Sequence, residues 1–330
     1  GCCNVAVGNA ALSSNTTGCR NTAIGINAST SNQTGCCNVS VGAFSLEQNS
    51  TGCCNVAVGI LSLNRNTTAN NNVAVGHASL DQNTTGHTNV AIGNNALDAN
   101  TTGCKNTAVG RHALSSNTTA NNNTAIGCGA MIANTEGADN VAVGKDSLVT
   151  ATTGVNNTAV GASSALRLTT GSQNAMFGHN AGDNVTTGSN NVLLGESAGN
   201  DAMINVTTAS TQIVLGNNAS TNATIKIDWT VTSDLRDKTE IKDVKHGLDF
   251  INQITPIEYK FKKSREDNTP TGDKKYGFKA QEILELEGDN PVIINNKDTD
   301  ALKITNSHLI PVLVNAIKEL TARVKELENE

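Results

Sequence analysis

The side chains able to do chemistry fall in two places. One is the run Ser233-Asp234-Leu235-Arg236-Asp237-Lys238. A serine hydroxyl is a poor nucleophile until a neighbouring base takes its proton, and Lys238, five residues on, reaches back to Ser233 if the segment turns. A lysine acts as a base once burial lowers its pKa toward the working pH. The same run also reads as a helix cap followed by a solvated turn, with Asp234 and Arg236 in surface ion pairs. Residue types alone leave both readings open. His246 and His308 read as surface or capping residues rather than proton carriers. The other place is a set of nine cysteines, all before residue 129, six of them in the doublets Cys2-Cys3, Cys36-Cys37 and Cys53-Cys54. Neither CxxC spacing nor a histidine at metal-ligand spacing accompanies them, so no metal and no cofactor are read from the chain.

Repetition sets the elements that must hold these groups. An Asn recurs at 4, 21, 38, 55, 72, 89, 106, 123, 140, 157, 174 and 191, always 17 apart, and a Gly follows four residues later in all twelve copies. Between them lie runs such as Val5-Ala6-Val7 and Thr22-Ala23-Ile24, which alternate side-chain faces as a strand does. The Gly permits backbone angles or close approaches that a Cβ forbids. Each unit therefore reads as strand, turn, short strand, turn, and twelve units stack as a parallel β-solenoid or β-roll about 55 Å long at about 4.8 Å per coil. The near-constant Ala (Ala6, Ala23, Ala57, Ala74, Ala91) suits either a close-packed surface between chains or an inward-facing position of the coil. A second Asn stands in register at 15, 32, 49, 66, 83, 100, 117 and 134, where its amide can satisfy a turn or form a stacked ladder. Most of these sites are also glycosylation sequons, which any Asn/Thr-rich repeat generates. Cys2, Cys19, Cys36, Cys53 and Cys104 share one coil position, so neighbours stack within the Cα range of a disulfide. Cross-coil or cross-chain disulfides and a reduced ladder are both compatible with that register.

Composition narrows the class. The chain has 330 residues, a net charge of -6 and 2% aromatic residues, which leaves no basic field for nucleic acid and few large side chains for an enzyme core. It contains no apolar run long enough to insert in a membrane. Residue 1 falls inside a repeat without an initiator Met, so the chain reads as a fragment. All four prolines, both tyrosines, the single Trp and 17 of the 23 Lys plus Arg lie beyond residue 225, which marks a boundary. The expected organisation is a shaft over 1–224, a linker strand over 225–232 and a small α+β domain over 233–330. Its last segment, 309–328, places Ile310, Leu313, Ile317, Leu320, Val324 and Leu327 at three- and four-residue steps. That spacing fits a coiled-coil seam or an amphipathic helix packed on its own domain.

The Asn-x-Val-Ala-Ile-Gly type of repeat resembles the heads of YadA-like trimeric adhesins, which implies a left-handed β-roll shared by three chains; the unit here is longer than theirs. The second domain resembles the intramolecular chaperone of endosialidases and other phage tailspikes. Four motifs carry that resemblance: Ser-Asp-x-Arg-x-Lys at 233–238, Ile254-Thr-Pro-Ile-Glu-Tyr-Lys-Phe261, Tyr276-Gly-Phe-Lys-Ala-Gln-Glu282 and Leu309-Ile-Pro-Val-Leu-Val-Asn-Ala-Ile-Lys-Glu-Leu320. It implies assembly of a homotrimer, then single-turnover self-cleavage between Thr232 and Ser233. Ser233 would be the nucleophile and Lys238 its base, supported by Asp234 and Arg236. The expected function is that of a trimeric fibre or tailspike segment, outside the cell or on a virion, with a host-surface receptor or glycan as partner. The alternative is a bacterial adhesin head carrying a cap that does not cleave. A glycan-degrading spike would need paired carboxylates on neighbouring coils, and the shaft acids Glu47, Asp81, Asp98, Glu136, Asp139, Asp146, Asp183, Glu196 and Asp201 read as scattered.

Overall fold

The computed structural model describes the 330-residue chain apart from residues 201–204, 218, 221–225, 227–231, 264, 298, 301 and 330. Contacts divide it into two units, Gly1–Ala219 and Ser220–Glu330. The expected linker strand over 225–232 lies, but for Lys226 and Thr232, outside the described residues.

In the first unit each coil carries one three-residue strand, from β1 (Val5–Val7) and β2 (Thr22–Ile24) through to β12 (Val192–Leu194), and the strands pair in parallel in chain order. Equivalent residues face one another, as Val56 faces Val73 and Ala57 faces Ala74, which is the register a 17-residue period demands. A further strand, β13 (Ile213–Leu215), sets Ile213 opposite Val192, four residues more than the period. The repeat count misses it because Gln212 stands where Asn is expected. Its N–H still donates to Asn191 Oδ1 at 2.9 Å, so the backbone half of the pattern survives the change.

Among the described residues the expected second strand of each coil does not form. The remainder of the coil is turn, because three positions in it take the left-handed region, for example Cys37 (φ 59°), Phe44 (φ 58°) and Leu46 (φ 50°). Such a conformation costs a non-glycine residue about 1–2 kcal/mol. It holds because each N–H is bonded to a neighbouring coil: Cys37 to Cys19 O (3.0 Å), Phe44 to Ile26 O (2.9 Å) and Leu46 to Ser62 O (2.9 Å). Gly110 (φ 136°) shows why the strand ends on glycine. A Cβ there would sit 2.5 Å from Gly127 O of the next coil.

Side-chain direction then settles two open points. Ala57, Ala74 and Ala91 are wholly buried beside Leu46, Leu63 and Leu80. The near-constant Ala is thus the inward position of the coil and not a surface between chains. The turn Asn residues from Asn49 to Asn134 are also wholly buried. Each amide does both things considered for it. Asn83 Nδ2, for one, donates to Asn66 Oδ1 (3.0 Å) and to Gly86 O (2.9 Å). A glycan on that nitrogen would take one of its two N–H donors and has no room at a wholly buried site, so the turn sequons from Asn49 onward read as structural.

The second unit closes a small core of Phe250, Ile254, Ile283, Ile293, Ile294, Leu309 and Val312. It runs α1 (Leu248–Gln253), the antiparallel pair β14 (Ile257–Lys262) and β15 (Pro270–Gly277), α2 (Ala280–Glu287), the short pair β16 (Ile294–Asn295) and β17 (Lys303–Ile304), and α3 (Leu309–Glu328). Helix α3 buries Leu309, Val312 and Ala316 against this core and leaves Ile310, Leu313, Ile317, Leu320, Val324 and Leu327 exposed. The packed helix and the apolar seam are therefore two faces of one element.

Candidate active site

Five residues separate Ser233 from Lys238, and a 3-10 turn over Leu235–Asp237 folds that distance away. Asp234 caps the turn, its carboxylate accepting from Arg236 N–H at 2.9 Å. With the turn closed, Lys238 Nζ donates to Ser233 Oγ at 2.8 Å, within the reach a general base needs. Both side chains are exposed, as is Thr232 on the other side of the peptide bond that Ser233 would attack.

Asp234 and Arg236 are brought together rather than to the Ser–Lys pair. The guanidinium donates through Nε to both carboxylate oxygens (3.1 and 3.2 Å) and through a terminal nitrogen to Oδ2 (2.6 Å). The Arg236 side chain, and then its N–H, hold the Asp234 carboxyl below its ordinary pKa, and the carboxylate raises that of Arg236 in return. Asp234 therefore shapes the turn that sets the Ser233 to Lys238 distance, without touching Lys238 in this arrangement. His246 stacks on Phe250 with ring centroids 4.2 Å apart, and His308 Nδ1 lies 2.8 Å from Val292 O. Neither bonds Ser233 or Lys238.

The downstream motifs are joined by side chains whose roles sequence reading missed. Glu282 accepts from the Thr255 hydroxyl at 2.9 Å, tying Tyr276–Glu282 to Ile254–Phe261. At Gly277 a Cβ would meet Tyr259 Cε1 at 2.9 Å, so a side chain there would displace the tyrosine ring. From α3, Glu319 accepts from Leu248 N–H at 2.7 Å and Asn315 donates to Val244 O at 2.8 Å, which anchors the chain just beyond the candidate site. Two polar residues four apart beside the buried Val312 and Ala316 were the available signal. Residues 233–290 match a peptidase family described as the chaperone of endosialidase. The matched segment opens on Ser233 and takes in the Ser-Lys turn, α1, the β14–β15 pair and α2; the solenoid and α3 lie outside it. No match was found among curated proteins or solved structures. The matched segment thus begins at the residue that Lys238 Nζ contacts.

Elsewhere, Asp81 and Asp98 correct the reading of the shaft acids as scattered: they stand 17 residues apart, at one coil position on adjacent coils. Burial pushes both carboxyls above their ordinary pKa, and Asp98 Oδ1 is buried without a hydrogen-bond partner. Among the described residues no group of three or more His, Cys, Asp or Glu forms a metal-ligand set, and no helix is long and apolar enough to cross a membrane.

Proposed function

We propose that this chain is a segment of a trimeric fibre or tailspike, extracellular or on a virion, whose second unit guides assembly of three shafts and then cuts itself free between Thr232 and Ser233. The observation that carries this reading is the 2.8 Å contact of Lys238 Nζ with Ser233 Oγ at the start of the endosialidase-chaperone segment. With Lys238 as the free amine, the Ser233 hydroxyl gives it a proton while Oγ adds to the Thr232 carbonyl carbon. The Thr232–Ser233 C–N bond breaks, the Ser233 nitrogen takes the proton back as an amine, and Thr232 is left as an ester on Oγ. Water then hydrolyses the ester, freeing the Thr232 carboxylate and a fragment that begins at Ser233. Each chain does this once.

In an exposed setting an ammonium holds its proton, and burial is what lowers a lysine's pKa. Packing by neighbouring chains around the turn would supply that burial and couple cutting to completed assembly. The uncovered seam of α3, from Ile310 to Leu327, suits a parallel bundle of three such helices. Levelling three C-termini also has a physical purpose, since a shaft of equivalent coils can pair one repeat out of register. A receptor or glycan on a host surface is the partner expected of such a fibre.

The test is denaturing electrophoresis and N-terminal sequencing of freshly made chain beside Ser233→Ala and Lys238→Ala. The parent should give fragments of 232 and 98 residues (330 less 232), the second starting at Ser233, while both variants stay whole. If the parent also stays whole in assembled trimers, the second unit is a non-cleaving cap, as the adhesin alternative requires.

A further inference from the structure

The cysteine column has a contact that the coil itself does not require. At this position a side-chain acceptor faces the N–H of the preceding coil in many coils, although Ala138 and Val155 show that a coil forms without one. Asn70 Oδ1 is that acceptor for Cys53 N–H (2.6 Å), Asn121 Oδ1 for Cys104 N–H (2.7 Å), and Ser189 Oγ for Ser172 N–H (3.0 Å). In the first coils the acceptors are sulfur: Cys19 N–H donates to Cys36 Sγ (3.3 Å) and Cys36 N–H to Cys53 Sγ (3.2 Å). Asn or Ser would serve equally well as acceptors, and neither can exchange with a disulfide. The sulfurs of Cys19 and Cys36 also lie 3.3 Å apart, and both residues are partly exposed. Cys37 and Cys54, one column over and also one coil apart, make no sulfur contact among the described residues.

We propose that Cys19 and Cys36 are a thiol–disulfide exchange site that reacts with small-molecule disulfides of the glutathione class and closes a covalent staple between neighbouring coils. The two sulfurs divide the work. The Cys19 N–H, first, and the Cys19 thiol, second, hold the Cys36 thiol below its ordinary pKa, with Arg20 adding positive charge; donation to Cys36 pushes Cys19 up to about 11. Cys36 is then the attacking thiolate. It displaces one thiolate from the small disulfide and forms a mixed disulfide. The displaced thiolate takes the proton of Cys19, and Cys19 attacks Cys36 Sγ, expelling the second thiolate. Two cysteines are oxidised and one small disulfide is reduced to two thiols.

The chain, fully reduced, is incubated with oxidised glutathione at neutral pH, its free thiols are counted, and bridged peptides are sequenced by tandem mass spectrometry. The count should fall from nine to seven, with the bridge between Cys19 and Cys36. Cys36→Ser should lose at least tenfold in the rate of thiol loss and form no bridge from Cys19. That variant keeps the coil, because Ser172, Ser189 and Ser210 already fill this position in other coils. Cys37→Ser should still lose two thiols at the parent rate. Retention of all nine thiols by the parent, a bridge at Cys37–Cys54 instead, or unchanged kinetics in Cys36→Ser would each overturn the proposal.

Discussion

Replacing Asn83 by Ala in mid-shaft removes three hydrogen bonds at once. Two are donated by its amide, to Asn66 Oδ1 (3.0 Å) and Gly86 O (2.9 Å), and one is accepted from Asn100 Nδ2 (2.8 Å). Two of the partners keep a bond, since Asn72 still donates to Gly86 O and Asn100 still donates to Gly103 O. Asn66 Oδ1 is left as a buried acceptor with no donor. At about 1 kcal/mol for each bond lost and about 1 kcal/mol more for the stranded oxygen, the local cost is about 4 kcal/mol. A solenoid opens in neighbouring-coil units rather than all at once, so the assay is native-state hydrogen exchange at Leu80 and Leu97, whose N–H groups bond to Ala96 O and Ala113 O across coils. Protection there should fall about a thousandfold. The exposed Thr85→Ala should change protection by less than about 0.5 kcal/mol. A drop below tenfold in Asn83→Ala would show that the amide column is incidental and that backbone bonds alone hold the coils in register.

Three further outcomes are expected. Gly110→Ala, which meets Gly127 O and takes a φ that only glycine accepts freely, should lower shaft stability by about 3–5 kcal/mol in urea unfolding. Asp81 and Asp98 bind their protons more tightly folded than unfolded, so their contribution to stability should rise as pH falls from neutral through their raised pKa values and level off near 3.8. The double change to Asn should flatten that slope and raise the melting midpoint at neutral pH, because Asn64 already sits at this coil position, bonded to Phe44 O and Glu47. Asp234→Ala should slow self-cleavage about fivefold without abolishing it, matching loss of a cap worth about 1 kcal/mol, as followed by the time course of the 98-residue fragment.

The period of the shaft was legible because a stacked coil repeats every requirement at a fixed interval, and Asn and Gly each answer a requirement that few other residues meet. What the Ala column faces was not legible, since a coil interior and a chain interface both ask for a small side chain. The left-handed turns were hidden more deeply. Cys37, Phe44 and Leu46 have no preference for that conformation, and only bonds from coils 17 residues away hold them there. In the second unit the Ser-Asp-x-Arg-x-Lys run did not show how its residues pair. A 3-10 turn places Asp234 against Arg236 two positions on, and spacing alone does not separate that from a contact with Lys238. The pairing of Asp81 with Asp98 was available by subtraction, and was obscured because the acids do not recur in every unit.

The exact equivalence of neighbouring coils also makes length a quantity that can change without redesign. Excising residues 72–88 would join Asn71 to Asn89, and every amide, glycine and alanine at the seam would meet a partner of the same kind it had before. The shaft would be shorter by one step of about 4.8 Å, with no new interface to invent. Copy number then works as a ruler graduated in whole coils, and the two ends of the shaft are set at a distance that changes only by integer counts.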